Sequence, residues 1–111
     1  MTTPKSDRAA IVQVICALKK AGWNPVSITY PETVMVKGKT VMAKTKTPGE
    51  IADLITDNYF SAVLYFKKDG SYIRPQWVYF VPRNAPDEVV CDYTMSNNEF
   101  DTIVTTLIES W

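Results

Sequence analysis

The chain contains no histidine. That removes the commonest general base and the commonest metal ligand together. Neither a Ser-His-Asp nor a Cys-His arrangement can be assembled. Glycine is scarce: Gly22, Gly38, Gly49 and Gly70 stand alone, so no phosphate-cradling glycine loop exists. Two cysteines, Cys16 and Cys91, make no disulfide framework; they read as buried thiols in a reducing compartment. No apolar stretch approaches the ~20 residues of a membrane span. The opening MTTPKSDR has no apolar run behind a basic start, so no signal peptide is expected and the chain is read as cytoplasmic.

What is present suits one globular domain, residues 1–111. The apolar fraction of 46% and charged fraction of 22% exclude a disordered chain, and the length supports a single core. The net charge is zero but unevenly spread. Residues 1–46 hold eight Lys/Arg against two acids, and residues 84–111 hold six acids and no Lys or Arg. The two ends are expected to pack side by side and neutralise each other; left apart, they would steer a charged partner.

The densest signal lies in residues 59–83, YFSAVLYFKKDGSYIRPQWVYFVPR, with eight of the thirteen aromatic residues. Two β-branched and aromatic runs flank Lys68-Asp69-Gly70-Ser71, which predicts a β-hairpin. With Asp69 and Gly70 at the tip, Phe66 faces Ile73, Leu64 faces Pro75, Ala62 faces Trp77 and Phe60 faces Tyr79. That side is apolar throughout and belongs to the core. The other side pairs Lys67 with Tyr72, Tyr65 with Arg74, Val63 with Gln76 and Ser61 with Val78, and is expected to face outward. Burial selects this register. Pro75 favours a four-residue loop and an edge strand or bulge.

Elsewhere the patterns are plainer. Ser6 caps a helix from Asp7 to about Ala21, with Gly22 after its end. Ile11, Val14, Ile15 and Leu18 make its core stripe. Residues 9–18 are apolar nearly all round, which calls for cover on several sides, or for a partner. Val26 to Tyr30 is a strand. Thr33–Lys37 and Thr40–Thr45 form a second hairpin about Gly38-Lys39, pairing Val36 with Val41, Val34 with Ala43 and Met35 with Met42. Its Lys37, Lys39, Lys44 and Lys46 guard an edge or contact phosphate. Thr47-Pro48-Gly49-Glu50 is a capping box opening a short helix with Ile51, Leu54, Ile55 and Asn58/Tyr59 on its buried side. Val89 to Tyr93 is a last strand. Ser96-Asn97-Asn98-Glu99 is a second capping box, before a helix with Phe100, Ile103, Val104, Leu107, Ile108 and Trp111 in one stripe. Trp111 is expected to dock.

The element order αβββαβββα predicts an α+β, two-layer domain: an antiparallel sheet of five to six strands, with the terminal helices on one face. Asp53 with Asp57, and Asp87, Glu88 and Asp92, are the carboxylates that can be grouped. None follows a metal-loop spacing, and they read as solvated acids, so no cofactor, metal or enzymatic role is expected. Cys91 beside Asp92 is a poor nucleophile. The outward side of the hairpin, with Tyr65, Tyr72, Arg74 and Gln76, carries the residue types that concentrate binding energy at interfaces. A protein-binding module is therefore expected. Its partner is another protein or a second copy of the chain, joined through residues 9–18 or the hairpin. The alternative is a nucleic-acid-binding accessory protein using Lys37, Lys39, Lys44, Lys46 and Arg74, against which the pI of 6.2 and the acidic last quarter argue.

The segment WVYFVPRNAPDEVVCDYT, with the helix after it, resembles the C-terminal half of small phage or prophage accessory proteins of unknown role. That resemblance implies an inhibitor that covers a surface of a host complex, and it transfers no site residues.

Overall fold

In a computed structural model, the structure describes residues 3–31, 37–57, 61–70, 72–82 and 85–111. The elements run α1 (Asp7–Lys20), β1 (Trp23–Tyr30), β2 (Lys39–Met42), α2 (Pro48–Thr56), β3 (Ala62–Lys68), β4 (Gln76–Phe80), a 3₁₀ turn (Pro86–Glu88), β5 (Val90–Tyr93) and α3 (Asn98–Glu109). The strands form one antiparallel sheet in the order β2-β1-β3-β4-β5. It is the expected α+β architecture with the helices over one sheet face.

Local chemistry sets the helix ends. The Ser6 hydroxyl accepts from Ala9 N, and Gly22 follows the last turn of α1 at φ +89°. At α2 the Thr47 hydroxyl accepts from Glu50 N at 3.2 Å, and the Glu50 carboxylate accepts from Thr47 N at 3.0 Å. These two bonds satisfy backbone donors that the helix leaves unpaired. The second capping box does not form. Asn97, not Ser96, caps α3, accepting from Phe100 N at 3.0 Å. Glu99 is thereby freed for tertiary bonds.

The core is the layer between helices and sheet. Ile11, Val14, Ile15 and Leu18 of α1 are fully buried, as are Ile51 and Ile55 of α2. Phe100 of α3 stands edge-on to Trp23 at 5.2 Å and to Phe66 at 5.7 Å between ring centres. The α1 helix contacts both α2 and α3. Its surplus apolar positions are covered: Val12 and Ala17 pack against the core, and Cys16 is the exposed member of residues 9–18. Trp111 docks as expected, donating its indole N–H to the Gln13 side chain at 3.0 Å.

Several expectations are overturned. The β3–β4 ladder pairs Phe66 with Gln76, Leu64 with Val78 and Ala62 with Phe80. This differs by an odd number of residues from the expected register, so β4 presents its opposite side. Gln76, Val78 and Phe80 face the helices, and Trp77 and Tyr79 face away. The reason is the connection. Tyr72 to Pro75 stay outside the ladder and exposed, so Pro75 never has to donate. The strand Lys39–Met42 pairs with β1, Lys39 opposite Tyr30 and Val41 opposite Ile28. The expected strand residues Thr33–Val36, with their partners' pairings, lie outside the described residues, as do Asn58, Tyr59 and Phe60. Both cysteines are exposed rather than buried, and free. The two ends do pack together, α1 lying against α3 and the 3₁₀ turn, while the described ion pairs Arg8–Asp53 and Lys68–Glu99 do not join them.

Candidate functional site

Two surfaces are concave: the sheet face opposite the helices, and a basic cleft at one end of the central strands.

On the sheet face, alternation along β3 sends Val63 and Tyr65 outward while Ala62, Leu64 and Phe66 go to the core. The shifted register sets Tyr65 directly opposite Trp77 and Val63 opposite Tyr79. The four half-buried side chains join Pro31 and Asp92 around a shallow hollow of about 390 Å³. The backbone beneath is fixed. Trp77 N donates to the Thr94 hydroxyl at 2.7 Å, and Thr94 N donates back to Trp77 O at 2.9 Å. Ser27 and Thr29 of β1 stand on the other side of Tyr65 and Val63. Met42, opposite Ser27 on β2, is exposed.

The residues expected to bind a partner are dispersed. Tyr65 lies on this face. Tyr72 and Arg74 lie in the exposed loop between β3 and β4. Gln76 is a correction. It is buried at 2% exposure, donating its amide to Arg74 O at 2.9 Å and accepting from the Ser96 hydroxyl at 3.1 Å. A satisfied amide is tolerated in a core, and Ser96 is twenty residues away in sequence, so no pattern near Gln76 announces it. Trp77 and Tyr79 are the surface residues that sequence reasoning assigned to the core.

The lysines of the expected basic hairpin are divided too. Lys44 and Lys46 line a cleft of about 610 Å³ with Lys19, Lys67 and Lys68, bounded by Asn24, Pro25, Val26, Asp69, Gly70 and Tyr72. Lys37 is exposed elsewhere, and the Lys39 ammonium sits 5.4 Å from the Tyr30 ring centre. The cleft is built by the irregular start of β1. A register shift between Pro25 and Ser27 turns the Val26 carbonyl toward Ala43 N at 3.0 Å. Ala43 is buried there, and Lys46 N then bonds Ala43 O at 3.1 Å, turning Lys44 and Lys46 to the rim. On the far side Asp69 N donates to Gly22 O at 3.0 Å, and the Asn24 amide donates to the Asp69 carboxylate at 2.6 Å. Of the five ammonium groups only that of Lys68 reaches an acid among the described residues, Glu99 at 2.6 Å; it also donates to Ala21 O.

Among the candidate carboxylates, Asp53 is engaged by Arg8 at 2.6 Å. Among the described residues no group of His, Cys, Asp or Glu is placed to hold a metal ion, and no helix is long and apolar enough to cross a membrane. No family model, curated protein or solved structure matches the chain.

Proposed function

We propose that the chain is a protein-binding module whose partner docks on the helix-free face of the sheet. One observation carries the reading: Tyr65, Trp77, Tyr79 and Val63 converge on that face around a single hollow. Tyr and Trp dominate interface energetics because a large rigid ring loses little entropy on docking. A ring removes ~150–250 Å² from water when fully covered, worth roughly 4–6 kcal/mol as an upper bound. These rings are already half-buried, so a partner gains a fraction of that from each. The partner is a protein, and the inhibitor of a host complex implied by the phage resemblance is one form of the reading, set in the cytoplasm. Residues 9–18 offer little to a second copy, since Cys16 is their exposed member. The sheet face is then the surface a dimer would use.

Sedimentation of the wild-type chain, with affinity capture from host lysate, tests this against Tyr65→Ala/Trp77→Ala. The expected result is a partner or dimer that the double variant loses while its circular dichroism is kept. Recovery of the same species at the same yield would remove the sheet face from consideration.

A further inference from the structure

We infer that the basic cleft is a nucleotide site, taking a phosphate-bearing ligand with a planar base, either free or as part of a single strand. The inference does not rest on the protein-binding reading.

Charge is the first argument. Lys19, Lys44, Lys46 and Lys67 come from α1, the segment after β2, and β3, and none makes a close ion pair among the described residues. Gathering these ammonium groups round one concavity opposes folding through self-repulsion. A bound anion reverses that penalty. The opposing charge is Glu99, which holds Lys68, Glu50, which acts on Lys46 through space, and Asp69 in the wall.

All five cations are lysines. A lysine ammonium meets a phosphate as a point charge, and it is the aromatic and apolar part of the wall, not the type of cation, that favours a nucleotide over an acidic peptide.

Size and lining narrow the rest of the ligand. A volume of about 610 Å³ falls in the range of small-molecule sites. The wall is not uniformly charged. Pro25 and Val26 give it an apolar part, and the Tyr72 ring stands fully exposed at the rim, at 106% of its reference area. A free aromatic ring beside a positive groove is the arrangement on which a base stacks while its phosphates meet the cations. The Asp69 carboxylate, with one oxygen held by the Asn24 amide, leaves its other oxygen as an acceptor for the edge of a base. The hydrogen bonds of Gly22, Asn24 and Asp69, and that of Val26 to Ala43, hold the floor in place before any ligand arrives.

Titration calorimetry at about 50 mM salt, where phosphate contacts are strong, tests the site with four probes: ADP, a short oligothymidylate, inorganic pyrophosphate and an oligoglutamate peptide. Saturable binding of ADP or the oligonucleotide is expected, tighter than pyrophosphate. Lys44→Ala/Lys46→Ala, and separately Lys19→Ala/Lys67→Ala, should each weaken it about tenfold or more with circular dichroism unchanged. Tyr72→Ala should erase the preference over pyrophosphate, and Trp77→Ala should leave binding intact. ADP binding above the oligonucleotide identifies a free nucleotide as the source; the reverse order identifies a strand. Oligoglutamate binding as tightly as the nucleotides, no saturable binding of any phosphate probe, or affinity unmoved by both lysine pairs would each overturn the inference.

Discussion

The indole N–H of Trp23 donates to a carboxylate oxygen of Glu99 at 2.8 Å, and the Lys68 ammonium reaches the same oxygen at 2.6 Å. That oxygen ties the start of β1 and the end of β3 to the first turn of α3. The Lys68 ammonium also lies 5.4 Å from the Trp23 ring centre. Lys68 chiefly, and Trp23 next, hold the Glu99 carboxyl below its ordinary value of 4.5. Glu50 is depressed as well, through its bond from the Thr47 backbone. A carboxyl whose pKa is lower folded than unfolded adds stability above its unfolded pKa. That contribution disappears as pH falls through the folded pKa. Stability in denaturant should therefore be level near neutrality and decline below about pH 4.5. Glu99→Gln should flatten part of the decline. An identical acid slope in that variant would show that the contact adds nothing.

Phe100 is the hinge of the core, touching Trp23 and Phe66 edge-on with no exposure of its own. Phe100→Ala removes both ring contacts and leaves a void among three elements. A cost of about 3–5 kcal/mol is expected from equilibrium unfolding. Domains of this size hold about 5–15 kcal/mol in all, so the variant should be close to unfolding at ordinary temperature.

The helices were legible because their signals are local. Ser6, Gly22 and the Thr47–Glu50 box sit within one turn of the ends they define. The stripe of α1 is a repeat of its own residues. The β4 facing was not legible, because it depends on how much of the loop joins the ladder. Ile73, Pro75 and Trp77 form a better apolar row than Gln76, Val78 and Phe80 only if nothing satisfies Gln76. Ser96 does, from the far side of β5. The basic cleft was half visible in Lys44 and Lys46; Lys19 and Lys67 join it only through tertiary packing.

Gln76→Ala tests that account. It removes the two hydrogen bonds to Ser96 and Arg74, each worth about 0.5–1.5 kcal/mol, so a loss of about 1–3 kcal/mol is expected on unfolding. Partner binding at the sheet face should persist once the variant is folded, because the side chain is on the opposite side. Unchanged stability with lost binding would restore Gln76 to the interface.

Gly22 ends α1 at φ +89°, with its carbonyl accepting from Asp69 N. An alanine Cβ there would lie 3.6 Å from the Lys68 side chain, an ordinary contact, so space is not the obstacle. The obstacle is backbone strain, about 1–2 kcal/mol for a residue with a Cβ in left-handed geometry. Gly22→Ala should lower the unfolding midpoint by that amount, whereas Gly22→Asn should recover part of it, since Asn tolerates this region better.

Tyr65 and Trp77 offer the sharpest separation of stability from function. They are opposed on adjacent strands, half-buried and on the face without helices. A cross-strand aromatic pair contributes roughly 0.5–1.5 kcal/mol beyond its area. A double-mutant cycle of Tyr65→Ala and Trp77→Ala in the free protein should return a coupling of that order. Each single variant should stay folded, because neither ring is under the helices. If the face docks a protein, each single variant should also weaken the complex by at least about 2 kcal/mol, the mark of an interface anchor. Coupling in the free protein without any loss of binding would mean that the rings serve only the sheet. Loss of binding without coupling would mean that they contact the partner separately.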